Sequence, residues 1–181
     1  WFNSFAQEKT QHSLIDQWMM NPSPTVFLHA DTERTRFILV LGTNPKISNR
    51  GHNATDTFKQ LTADKTKFVV VADPRTTETT RGADRHLRVR PGTDAFMLLG
   101  MTASIVQRDL ADAAFVAEKT QGYDELRAAL ADVDVAEMAA RAGIDPAALI
   151  DTATGFAEAE SASIFYDLGV EQTPFSTLVS Y

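Results

Sequence analysis

The sequence predicts an α/β domain: a Rossmann-like, doubly wound, mostly parallel sheet with helices on both faces. Three observations carry that expectation. Arg36-Phe-Ile-Leu-Val-Leu-Gly42 and Lys67-Phe-Val-Val-Val-Ala72 are continuous apolar runs of strand length, the pattern of parallel strands buried on both faces. Strand and helix patterns alternate along the chain, which favours a layered sheet with crossover connections. Glycine, proline or aspartate ends each apolar run at Gly42, Asp73-Pro74 and Pro91-Gly92, as strand-to-helix turns require.

Taken in order, Ser13 to Met20 reads as a short helix broken by Asn21-Pro-Ser-Pro24, and Val26 to His29 as a short strand. Residues 1–25 form a segment leading into a domain that occupies residues 26–181. The first buried strand ends at Gly42, a helix runs from Thr55 to Ala63, and the second strand ends at Asp73. His86 to Val89 is a third, shorter strand, and Asp94 to Gln107 is an apolar helix with Thr93 or Asp94 as its N-cap. Tyr123 to Ala131 is helical. Asp134 caps the next helix, which puts Val135, Met138, Ala139 and Ala142 on one face and stops at Gly143. Asp145-Pro146 opens another helix, since proline suits the first helical position, and it runs to about Glu158. Ser163 to Leu168 is a further strand ended by Gly169, and Phe175 to Tyr181 reads as a helix beginning.

Composition narrows the function. No apolar run in the 181 residues approaches the length of a membrane span. The chain has no cysteine, which excludes disulfides, thiolate zinc sites, cysteine-bound iron–sulfur clusters and a cysteine nucleophile. Its net charge of −7 is unevenly spread: residues 41–94 hold 10 basic and 6 acidic side chains, residues 95–181 hold 4 and 14. A basic middle in an acidic protein suits a local anionic ligand and argues against nucleic acid. The chain starts at Trp1 without a signal peptide pattern, so it is expected to be a fragment or excised domain. A cytoplasmic location is the expectation, with the periplasm as the alternative.

In open parallel sheets, ligands bind at the carboxyl ends of the strands. Four loops lie there. In Gly42-Thr43-Asn44-Pro45, glycine permits close backbone approach, Thr43 and Asn44 add a hydroxyl and an amide, and Lys46, Ser48 and Arg50 follow. Together these can cradle a pyrophosphate; they can equally form a plain turn in which Asn44 bonds its own backbone. Asp73 can accept from ribose hydroxyls or from guanine nitrogens, or simply start a turn before Pro74. Arg75, Thr76, Thr77, Thr79 and Thr80 follow it as donors or as polar filling. Asp94 can face a base or sugar, although capping alone explains Thr93 and Asp94. Gly169-Val-Glu-Gln172 is the fourth loop. The arginines at 75, 81, 85, 88 and 90 read as solvated or paired with Glu78 and Asp84.

Familiar alternatives are missing. There is no G-x-G-x-x-G and no G-x-x-x-x-G-K-[ST], and His12, His29, His52 and His86 have no metal-ligand spacing. The helices 135–142 and 146–157 faintly suggest a helix-turn-helix, but their negative charge favours core packing.

Taken together, the motifs resemble those of the molybdopterin oxidoreductases of the dimethyl sulfoxide reductase type, which include formate dehydrogenases, nitrate reductases and BisC-like enzymes. The ordered set is Leu41-Gly-Thr-Asn-Pro45, Val-Val-Val-Ala-Asp73-Pro-Arg75-x-Thr77-x-Thr79, Gly82-Ala-Asp84-x-His86-Leu87 and Arg90-Pro-Gly-Thr-Asp94-Ala95, followed by Leu168-Gly-Val-Glu-Gln172-Thr. The resemblance implies a domain that holds one of two molybdopterin guanine dinucleotides, in the bis form, around molybdenum or tungsten. It implies that Leu41, Gly42, Thr43, Asn44, Pro45, Lys46 and Ser48 approach the pyrophosphate and pterin. It implies that Asp73, Pro74, Arg75, Thr77, Gly92, Thr93 and Asp94 hold the guanosine, and that Leu168 and Gln172 lie nearer the pterin. Family members are several times longer and often carry an N-terminal cysteine-bound cluster, which nothing here matches. No metal ligand is assigned, although Ser4 to Thr10 lies in the corresponding neighbourhood, and no catalytic residue is assigned. The remaining domains of a parent enzyme are the implied partners, with a small-molecule substrate and an electron-transfer partner beyond them. On this reading the fragment is inactive alone. Two other readings stay open: a generic α/β nucleotide- or phosphosugar-binding module, and an interaction domain docking through its acidic helical face at residues 109–160.

Overall fold

The computed structural model describes residues 30–48 and 53–180, together with Trp18. The helix expected over Ser13–Met20, apart from helical Trp18, and the strand expected over Val26–His29 lie outside the described residues, as does the Ser4–Thr10 neighbourhood.

Four parallel strands form one sheet in the order β3-β2-β1-β4. They are β1 (Phe37–Leu41), β2 (Phe68–Ala72), β3 (Arg85–Leu87) and β4 (Ala162–Tyr166). Every residue of β1 is buried, as an apolar run at the centre of a doubly covered sheet must be. Its register sets Leu39 beside Val70 of β2 and Ile164 of β4. Alternation then splits the run between two cores. Ile38, Val40, Val69 and Val71 pack against Phe58 and Leu61 of helix α2 (Ala54–Ala63). Leu39, Leu41, Val70 and Ala72 pack on the other face. There they meet helices α3 (Asp94–Gln107), α6 (Val135–Ala142) and α7 (Pro146–Glu158) through Met97, Met101, Ala139 and Leu149. Both faces are thus covered, as the doubly wound pattern requires, and α6–α7 serve the core, in keeping with their charge.

The remaining elements are short. Helix α1 (Pro45–Ser48) follows β1, and a 3-10 turn (Thr80–Gly82) precedes β3. Helices α4 (Ala113–Lys119) and α5 (Tyr123–Leu130) link α3 to α6, and α8 (Leu168–Glu171) and α9 (Ser176–Ser180) follow β4. Helices α1 and α4 carry too little periodicity to be read from sequence.

Local capping follows the residue types. The side chains of Asp134 and Asp145 accept from the backbone N–H groups of Glu137 and Ala148, and Gly143 closes α6 at φ 74°. Asp145→Ala is expected to cost about 1 kcal/mol, read as a lower urea midpoint at unchanged slope.

Four expectations are corrected. β3 ends at Leu87, because Val89 N–H turns back to the Leu87 carbonyl at 2.9 Å and leaves the ladder. β4 ends at Tyr166, because the Asp167 carboxylate accepts from Leu168 N–H and starts α8. Thr93 occupies the N-cap of α3 without capping it; its hydroxyl donates to the Arg90 carbonyl at 2.6 Å, and Asp94 is the first helical residue. Among the described residues, Asp84 pairs with no arginine: its carboxylate accepts from Val69 N–H at 2.8 Å.

Candidate functional site: the carboxyl rim of the sheet

Strand order places the topological switch between β1 and β4. The chain leaves β1 for β2 on one side, and returns from β3 through the α3–α7 layer to β4 on the other. A crevice outside the strand ends at such a point is where open α/β sheets bind ligands. At this point of the sheet two glycines meet. Gly169 N–H donates to the Gly42 carbonyl at 2.9 Å. A Cβ on Gly169 would lie 2.3 Å from that oxygen, and one on Gly42 would lie 2.6 Å from the Val170 nitrogen. Gly42 also has φ 56°, which side-chain-bearing residues rarely adopt. The two loops therefore touch backbone to backbone, an approach that only glycine at both positions allows.

The other loops join the same rim. Gly42 N–H donates to the Ala72 carbonyl, and Asp73 N–H to the Leu87 carbonyl at 3.1 Å. Asp73 is buried, and one carboxylate oxygen accepts from Arg75 N–H at 2.7 Å in a tight turn. The His86 imidazole Nε2 donates to the Asp73 carbonyl at 2.7 Å and pins the peptide ahead of Pro74. Asp94, only 5% exposed, has no ion pair and no side-chain donor among the described residues. Burial chiefly, together with the nearby Asp73 carboxylate, raises its pKa above the ordinary aspartate value. Asp73, just past β2, and Asp94, the first residue of α3, are thus close enough to repel each other electrostatically. Gly92, at φ 78°, abuts Pro174, and Phe96 meets Phe175 edge-on with centroids 6.4 Å apart, so the segment after α8 borders the same loops.

Asn44 reaches the rim differently from either sequence reading. Its Oδ1 accepts from the Thr79 hydroxyl at 2.6 Å and from Thr79 N–H at 3.3 Å, while its Nδ2 donates to Glu78 at 2.7 Å. It ties the β1 loop to the β2 loop. Thr77 is buried and exchanges hydrogen bonds with Thr80, which shapes the loop from within. Ser48 donates back to the Asn44 carbonyl. Lys46 turns away from the acid pair: its ammonium donates to Thr62 at 3.2 Å and fills the space over Gly82. Burial, with Lys59 nearby, lowers its pKa. Leu41 is part of the core, Pro45 and Thr43 are buried, Leu168 is half-buried, and Pro74, Arg75 and Gln172 are exposed. Glu78, read from sequence as an arginine partner, and Thr79, read as a donor or polar filling, both act on Asn44, and His86 supports the Asp73 peptide. Glu78 and Thr79 lie 34 and 35 residues from the side chain they hold, so no local signal marked them.

The fit of these residues to a guanylated pyrophosphate rests on three features. Two glycine loops meet at the switch point, two buried carboxylates can accept from base or ribose donors, and exposed Arg75 follows Asp73 in the same turn. A family model, the molybdopterin oxidoreductase, matches residues 3–168. The chain belongs to that family.

Among curated relatives, this molybdopterin oxidoreductase chain is 30% identical over 143 residues to the assimilatory nitrate reductase catalytic subunit of Bacillus subtilis, a match covering 79% of the chain and 20% of the relative. It is 36% identical over 107 residues to the F420-dependent formate dehydrogenase 2 subunit alpha of Methanococcus maripaludis, covering 59% of the chain and 16% of the relative. The chain therefore spans about a fifth or less of these relatives. Acetylene hydratase from Pelobacter acetylenicus shares the fold at a TM-score of 0.85 and 24% identity, over 99% of this chain and 24% of that one. Among the described residues, no helix is long and apolar enough to cross a membrane.

Proposed function

We propose that this chain is the nucleotide-holding domain, residues 26–181, of a molybdopterin-dependent oxidoreductase. On this reading its rim binds the guanosine and pyrophosphate of one molybdopterin guanine dinucleotide. Family membership supports the cofactor class. The observation that carries the finer reading is two buried carboxylates, Asp73 and Asp94, at the carboxyl rim of the sheet, where the Gly42 and Gly169 loops meet. Two buried carboxylates without a cation are costly unless a donor-rich ligand meets their remaining acceptor capacity. Guanine N1 and N2 donors, or ribose hydroxyls, are such donors. Backbone N–H groups of the Gly42–Asn44 turn and the Arg75 guanidinium would meet the phosphates.

When bound, the group supplies the redox chemistry at its molybdenum or tungsten; the residues of this chain bind it, orient it and balance its charge. None of the rim side chains is assigned a proton-transfer role. The fragment alone is then without turnover, because the substrate site and the second dinucleotide belong to the remaining domains of the parent enzyme.

The test is the nucleotide released when the native full-length protein is acid-hydrolysed. Guanosine monophosphate is expected in wild type. Asp73→Ala should retain about tenfold less, for loss of a charged hydrogen-bond acceptor. Release of an adenine or cytosine nucleotide, or of none, overturns the reading.

A further inference from the structure

We infer that Glu78 is a positioning residue for this nucleotide rim, acting through Asn44; the inference rests on the nucleotide reading above. Asn44 has one orientation that satisfies its surroundings. Thr79 N–H can only donate, so the carboxamide oxygen must face it, at 3.3 Å, with the Thr79 hydroxyl donating to the same oxygen at 2.6 Å. The amide nitrogen is then forced outward, where the Glu78 carboxylate accepts from it at 2.7 Å. Without an acceptor there, the amide nitrogen has no partner and the Asn44 side chain is held from one side only.

The consequence reaches the ligand surface through the main chain. The Asn44 carbonyl accepts from Ile47 and Ser48 N–H and from the Ser48 hydroxyl, which builds the first turn of α1. Gly42, two residues earlier, carries the crevice contact to Gly169. Asn44 thus sits between the clamp and the backbone that faces the phosphates. Glu78 is exposed, buries no apolar surface, and lies among Asn44, Arg81 and Arg75. The hydrogen bond from Asn44 chiefly, then one from its own backbone N–H, with a smaller pull from these arginines, hold its carboxyl below the usual glutamate range. The acceptor therefore stays ionised throughout the neutral range.

The test compares Glu78→Ala, Glu78→Asp and Glu78→Gln in the native full-length protein, with Asp73→Ala as reference. The readouts are guanosine monophosphate released per protein and the melting temperature. Glu78→Gln keeps an acceptor oxygen at the same reach and should retain the nucleotide. Glu78→Asp keeps the charge but withdraws the acceptor, and it should lose about fivefold, as should Glu78→Ala. Melting of the nucleotide-free proteins should be unchanged within about 1 °C, since an exposed side chain is removed. Equal retention in all three Glu78 variants, with loss in Asp73→Ala, overturns the positioning role alone. Loss in Glu78→Gln equal to that in Glu78→Ala also overturns it, because charge would then matter and not the bond. Retention in Asp73→Ala overturns the nucleotide reading beneath it.

Discussion

Gly169→Ala is expected to destabilise the protein by about 3 kcal/mol and to abolish nucleotide retention. The added Cβ would stand 2.3 Å from the Gly42 carbonyl oxygen and 2.6 Å from the Gly42 Cα. Both are backbone atoms at the end of the central strand, so no rotamer change relieves the overlap. Gly42 is itself held by its N–H bond to the Ala72 carbonyl and by its φ of 56°. The two loops must therefore separate, which breaks the 2.9 Å bond from Gly169 to Gly42 and parts the β1 and β4 loops at the rim. For a domain of this size the loss corresponds to roughly 10 °C in melting temperature. Gly122→Ala is the control. Gly122 has φ 80° but only the Glu125 carboxylate at 3.9 Å near its missing Cβ. Its replacement should cost about 1 kcal/mol of backbone strain and leave nucleotide content unchanged. Equal losses in the two variants would show that close approach at the switch point has no special weight.

That contact also marks where sequence reading stops. β1 and β2 were legible because burial on both faces demands uninterrupted apolar runs, and Ile38, Val40, Val69 and Val71 are indeed fully buried. Asp134, Asp145 and Gly143 were legible because capping chemistry acts within four residues. Asp73 was legible as a strand-end acid and Asp94 as the acid at the start of α3, because turn and helix-start signals are local. The Gly42–Gly169 contact spans 127 positions and leaves no local pattern. Lys46 looked like a phosphate ligand because it follows a glycine turn; its direction toward Thr62 depends on how α2 packs, which the turn does not specify. Asn44 looked like a turn residue or a ligand and is instead a bridge, because its partners come from the loop after the neighbouring strand. Periodicity and caps fix elements; the supports of a rim depend on strand order, which is a property of the whole sheet.

Asp94→Asn is expected to move stability and binding in opposite directions. The raised pKa of Asp94, due first to burial and then to Asp73, means that the nucleotide-free fold disfavours its ionised form. The sign follows from linkage. A carboxyl whose folded pKa exceeds its unfolded value binds protons more readily in the folded state. The nucleotide-free protein therefore loses stability as pH rises from the unfolded value, near 3.8, through the higher folded one. Asparagine removes that loss, so the nucleotide-free variant should melt higher than wild type at pH 7, with the difference vanishing at the acid end. Binding responds the other way. A carboxylate offers two acceptor oxygens to paired N–H or O–H donors, whereas a carboxamide offers one oxygen and sets a donor against a donor. Losing a charged acceptor of this kind costs about 1.5–3 kcal/mol, so retention should fall roughly 10- to 100-fold. Such opposition is the signature of a group kept for a ligand and not for the fold. The decisive measurement is melting of wild type and variant across pH, with and without guanosine nucleotide. A variant that is less stable than wild type without nucleotide at pH 7 would make Asp94 a structural residue of α3, and the acid pair would no longer point to a guanosine.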